Sequence, residues 1–219
     1  MTVSHKIKMF TWGVIAVLSL SSCNGIFEGI YDKPISESKK EYGFIHINPQ
    51  TNQGTIYIDA TDYKQWHYIN LNKKETISTL TTEEAPSEWD FAIHRYDVKT
   101  NGGAVTEINV TDFNSLPPIS SIPDEQFIED EWTTNRITID MSQMMDGIIL
   151  YAEDYYNPCM SKWLNVDTST MPPIYTLSGK VYILRCTDGT YAALRLRNFM
   201  NDAATKGYMT IDYYYPIER

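Results

Sequence analysis

Trp89-Asp90-Phe91-Ala92-Ile93-His94-Arg95-Tyr96-Asp97-Val98, with Lys99-Thr100-Asn101-Gly102-Gly103 behind it, is the stretch whose reading sets the fold class. Its β-branched and aromatic side chains suit a pleated, half-buried surface. Asn101-Gly102-Gly103 accepts the positive φ that tight turns require, and Ala104 to Val110 alternates again, which predicts a hairpin turning at the glycines. Outward from it the same texture recurs. Tyr42–Ile47, Gly54–Asp59, Gln65–Leu71 and Thr76–Leu80 read as strands before it, with Asn48 to Gly54 as a turn. After it come Arg136–Met141, Ile148–Tyr151, Lys180–Cys186, Tyr191–Phe199 and Gly207–Tyr215, with Asp188-Gly189 as one of the turns. Pro117, Pro118 and Pro123 mark an irregular crossing, and Asp124 to Trp132 is expected to form a short helix. Short strands with regular Gly, Asn and Pro punctuation predict an all-β, mostly antiparallel single domain.

The first residues have a different character. His5, Lys6 and Lys8 precede an apolar run, Met9 to Leu20, too short for a permanent bilayer span. Leu20-Ser21-Ser22-Cys23 then resembles the lipobox of bacterial lipoproteins, which implies cleavage of a 1–22 signal peptide and lipidation of Cys23. Residues 23–40 read as the lipid-anchored tether, and 41–219 as the domain. Without those 22 residues and their two lysines, 16 basic side chains face 28 acidic ones, a net charge of about −12. A surface this acidic repels phosphate backbones and anionic headgroups, so nucleic-acid binding is excluded and membrane contact is expected through the lipid alone. Cys159 and Cys186 either pair, as an exported protein permits, or stand as two buried thiols.

The methionines stand out within this frame. Met144 and Met145 lie beside an Asp146-Gly147 turn, and Met171 precedes Pro172-Pro173, so soft thioethers fall where loops are expected. From pattern alone, packing and metal ligation both remain open for Met145 and Met171. Met141, on an alternating strand, reads as core, as do Met160, Met200 and Met209. His46, His67 and His94 fall in strands, with no HExxH, Gly-x-Ser-x-Gly or phosphate-binding glycine loop, so no enzyme activity is expected. Glu83-Glu84 reads as a solvated turn.

The stretch from Trp89 to Gly103 resembles the signature hairpin of the HmuY-like haem-binding lipoproteins. Asp140-Met141-Ser142-Gln143-Met144-Met145, Met171-Pro172-Pro173-Ile174-Tyr175 and the segment from Lys180 to Tyr215 resemble the same family, so the likeness spans roughly residues 86 to 215. It implies a single β domain that takes haem (iron protoporphyrin IX) from host haemoproteins and passes it to a TonB-dependent outer-membrane receptor. The protein would sit in the outer membrane at the cell surface, or be shed from it. The family's founding member holds the iron with two histidines. This chain has none after His94, and carrying the sites over by position implies Met145 and Met171 as axial ligands, with Met144 the rival for the first. The competing reading is a surface glycan-binding lipoprotein of a polysaccharide-uptake system, using exposed Tyr and Trp as sugar platforms.

Overall fold

The structure, a computed structural model, describes residues 41–217. The expected signal peptide 1–22, the expected lipidation site Cys23 and the expected tether to residue 40 lie outside the described residues. Two antiparallel sheets form the body. The larger has the spatial order β1 (Gly43–Asn48), β2 (Gln53–Asp59), β15 (Lys206–Ile217), β14 (Tyr191–Met200), β13 (Val181–Arg185), β7 (Ala104–Ile108), β8 (Ile128–Glu129). The smaller runs β4 (Glu75–Leu80), β3 (Gln65–Asn70), β5 (Phe91–His94), β6 (Asp97–Thr100). Two further pairs stand as separate ribbons: β9 (Glu131–Asp140) with β10 (Leu150–Tyr156), and β11 (Leu164–Asp167) with β12 (Ile174–Leu177).

The period of two decides what each face meets. Ile56, Ile58, Ile69, Phe91, Ile93, Leu194, Met209 and Ile211 point between the two sheets and form the main core. Residues of opposite parity, Val181, Ile183 and Ala193, point to the outer side of the large sheet. There Ile119 and Phe127 from the proline-rich crossing cover them. On the outer side of the small sheet Trp66, Tyr68 and Ala92 pack against Ile137 of the first ribbon. The domain is therefore layered: crossing, large sheet, small sheet, ribbon.

Two expectations need correction. The hairpin does not turn at Asn101-Gly102-Gly103. The chain reverses at Arg95-Tyr96, so that His94 faces Asp97 and Phe91 faces Thr100, and the glycines instead carry it across to β7 in the other sheet. Arg95 holds φ 54°, the left-handed region an L-residue rarely visits. Tertiary contacts hold it there: its guanidinium donates to Thr61 O at 2.8 Å and Ala60 O at 3.2 Å, and lies 4.3 Å from the Tyr63 ring. The expected helix over 124–132 is one 3₁₀ turn, Asp124–Gln126, followed by strand. Asp130 is taken instead by the hairpin: its carboxylate accepts from Thr100 N at 2.6 Å and Asn157 Nδ2 at 3.0 Å. Cys159 and Cys186 are separate, buried thiols, and burial pushes Cys186 up to about 12.

Candidate functional site

The two methionine loops are the tips of the two ribbons. In the first, β9 and β10 pair from Glu131↔Tyr156 at the root to Asp140↔Leu150 at the tip. Asp140 Oδ1 accepts from Ser142 N at 2.7 Å, which starts the turn and draws its carboxyl below the usual range. A 3₁₀ turn, Met144–Asp146, follows, closed by Gly147 at φ 78°. The Asp146-Gly147 signal is thus a true turn whose left-handed residue is the glycine that tolerates it.

The first ribbon's root is fastened by charge as well as packing. Lys99 Nζ donates to Asp154 Oδ2 at 2.8 Å while lying 4.2 Å from the Trp66 ring. Arg136 Nε donates to Asp97 Oδ1 at 2.6 Å, and its guanidinium covers the Tyr156 ring at 4.5 Å. The second ribbon is rooted differently. Its inner face, Leu164, Val166, Tyr175 and Leu177, packs on the main core, and Tyr175 stacks on Phe199 at 5.6 Å. Trp163 Nε1 donates to Tyr96 O at 2.9 Å just before the ribbon begins. At its tip Asp167 Oδ1 accepts from Ser169 N at 2.9 Å, and Thr170 Oγ1 donates to Pro172 O at 3.1 Å.

Met145 is 90% exposed and Met171 78%, whereas Met144 is 37% exposed. Met160, Met200 and Met209 are buried, as expected of packing methionines. Met141 is half-buried at the end of its strand and belongs to no core cluster, which corrects its assignment to the core. Of the fourteen large hydrophobic side chains exposed in the described residues, nine lie on the two ribbons: Trp132, Met144, Met145, Ile148, Leu150, Tyr151, Tyr155, Met171 and Ile174. This concentration of exposed apolar side chains makes the two ribbons the candidate binding surface. Sequence reasoning missed Ile148, Leu150, Tyr151 and Ile174. The available signal was four consecutive apolar residues, Ile148 to Tyr151; the strand expected to begin at Ile148 begins at Leu150, and it has a single partner, β9.

Two further sequence candidates, His94 and Glu83, are structural. His94 is buried, with Nε2 2.8 Å from Tyr63 O, and burial lowers it to about 4. Glu83 closes its turn by accepting from Leu80 N at 2.9 Å. Trp132 and Tyr155, the most prominent exposed aromatics of the first ribbon, meet edge to face with 77° between their planes, so together they do not form a flat platform for a sugar ring.

The profile of the HmuY family, described as HmuY protein, matches residues 62–213. Among solved structures, a candidate HmuY-like haem-binding protein of Bacteroides vulgatus is 55% identical over 82% of this chain and 100% of its own, with a TM-score of 0.76. A candidate lipoprotein of Bacteroides fragilis is 51% identical over 84% of this chain and 100% of its own, with a TM-score of 0.77. The apo HmuY analog of Tannerella forsythia, 21% identical over 76% of this chain and 96% of its own, shares the fold with a TM-score of 0.65. No curated protein sequence matches the chain.

Proposed function

The chain belongs to the HmuY family, and we propose that it is a haem-binding surface lipoprotein, a carrier without enzymatic activity, whose axial ligands are Met145 and Met171. The observation that carries this reading is the exposure of two thioethers, each at the tip of a two-stranded ribbon, the first ribbon also exposing aliphatic and aromatic side chains and the second Ile174. A porphyrin needs apolar faces against its ring and a donor at the iron. The donor set fits: thioether sulfur is soft, neutral and carries no proton to lose, which suits ferrous better than ferric iron. Bound haem would supply the iron centre. The protein's part is to hold the sulfurs and offer Ile148, Leu150, Tyr151 and Ile174 as apolar surface. Met145, far more exposed than Met144, is the better choice for the first ligand.

On this reading Cys23 carries the lipid, haem comes from host haemoproteins, and a TonB-dependent outer-membrane receptor takes it onward. Titrating the mature protein with hemin, with and without dithionite, tests the core of the proposal. A sharpened Soret band is expected, tighter under reducing conditions. Met145→Ala and Met171→Ala should each weaken binding by at least about tenfold, the equivalent of about 1.4 kcal/mol. Wild-type affinity in both variants overturns the ligand assignment even if haem binds.

A further inference from the structure

A cleft of about 270 Å³ opens between β1–β2 of the large sheet and β3–β4 of the small one. Tyr42, Tyr57, Asp59, Asp62, His67 and Ser78 contribute to its wall. The haem reading makes no use of it. Its central feature is His67, only 6% exposed, whose Nδ1 lies 2.8 Å from Ser78 Oγ while the buried Nε2 has no hydrogen-bond partner. Burial lowers the proton affinity of this ring against the opposing pull of Asp59 and Asp62, which keeps it neutral. In the tautomer whose single proton is on Nδ1 and given to Ser78, Nε2 offers a lone pair.

The rest of the wall has the same polarity. Asp59 and Asp62 each commit one carboxylate oxygen to the local turn, accepting from Thr61 N at 3.1 Å and Lys64 N at 2.8 Å. Tyr42 stacks on Tyr57 at 5.4 Å and Tyr57 on Tyr208 at 6.1 Å, a tyrosine stack with π faces. Among the described residues, neither lysine nor arginine lines the cleft. Two anions, an imidazole lone pair and electron-rich rings select a cation that can donate hydrogen bonds. We propose that this cleft binds a small organic ammonium ion, with the charged nitrogen donating to Asp59, Asp62 and His67 Nε2 and the carbon body resting on Tyr42.

The test follows the His67 ring nitrogens by long-range ¹H–¹⁵N NMR while the protein is titrated with n-butylammonium chloride. A saturable change at Nε2 is expected. Asp62→Asn, at an exposed position that the core does not depend on, should weaken it about fivefold, and Tyr42→Ala should weaken it as well. Sodium chloride at the same ionic strength and glucose are the controls. No saturable change at His67, an equal response to sodium chloride, or saturation by glucose overturns the proposal. Haem enters none of these measurements, so the outcome stands apart from the haem reading.

Discussion

The two-sheet body and the two ribbons use the same residue types for opposite purposes. In the body, Met160 and Met209 are fully enclosed, where an unbranched thioether fills gaps between stiffer side chains. On the ribbons, Met145 and Met171 stand out in solvent with nothing to pack against them. Isoleucine and leucine divide in the same way: Ile56, Ile183 and Leu194 are sealed between layers, while Ile148, Leu150 and Ile174 are not. The difference arises from topology. A strand inside a layered sheet has covering side chains on both faces, whereas a two-stranded ribbon can bury one face at most. Residues placed on the other face add nothing to folding and are free to serve a ligand.

Breaking that division gives the largest expected effect. Met160→Ala should lower stability by about 2–5 kcal/mol through the cavity it leaves, read as a fall in the denaturant midpoint. Met145→Ala and Met171→Ala should stay within about 0.5 kcal/mol of wild type. A large loss of stability from either exposed methionine would erase the distinction between the two regions.

Acid should act on the body before it acts on the ribbon tips. His94 has a folded-state value of about 4 against 6.5 in a free chain. Between those values the unfolded chain holds the extra proton, so stability rises with pH, and acidification from about 6.5 to about 4 costs up to about 3 kcal/mol. Burial raises Asp90, Asp97 and Asp130, which contribute with the opposite sign. Comparing urea unfolding of wild type and His94→Gln across pH 7 to 4 isolates the histidine. The wild type should lose stability more steeply, and parallel curves would remove His94 as the cause. The thioethers hold no proton over this range, so their donor character is constant.

The bond between body and ribbon is a smaller contribution. Lys99 and Asp154 have side chains 9% and 20% exposed, between the fully buried and fully solvated cases. Asp154→Ala removes the ammonium's direct carboxylate partner and leaves it the aromatic faces and the longer-range pull of Asp130, at a cost of about 2 kcal/mol. Hydrogen exchange should show the loss concentrated in β9 and β10. Uniform loss through the large sheet would mean that the ribbon is part of the body's cooperative unit.

Legibility in the sequence followed the same boundary. Strands of the body could be read because their alternation reflects a buried face, and the Asp146-Gly147 tip could be read because only glycine sits easily at φ 78°. The reversal at Arg95-Tyr96 carries no turn residues. Contacts from Ala60, Thr61 and Tyr63, more than thirty positions away, hold it, and no local pattern reports them. Asn101-Gly102-Gly103 has the composition of a hairpin turn but serves a crossing between sheets, where Gly103 lies close under Arg185 O. The apolar surface of Ile148 to Tyr151 was hidden for a related reason. Four apolar residues in a row look the same entering a buried strand as entering a ribbon strand that starts at Leu150, and only the number of neighbouring strands separates the two.

The smallest effect separates geometry from stability. Gly147, at the first methionine tip, and Gly189, in the turn between β13 and β14, have φ 78° and 85°, and an added Cβ would meet nothing within 4 Å at either. Alanine at each therefore imposes backbone strain alone, about 1–2 kcal/mol if the turn is kept. The body has no cheaper turn available, because the paired register of Arg185↔Tyr191 fixes the strands on both sides. The tip can relax instead by shifting the Met144–Asp146 turn, whose residues are exposed. Gly189→Ala should thus lower the unfolding midpoint and leave haem affinity intact. Gly147→Ala should cost less stability than its strain predicts, and should weaken haem binding by moving the Met145 sulfur. If both variants lose the same stability and both bind haem as wild type does, the first tip is as rigid as the body, and Met145 is not held by that turn for a ligand.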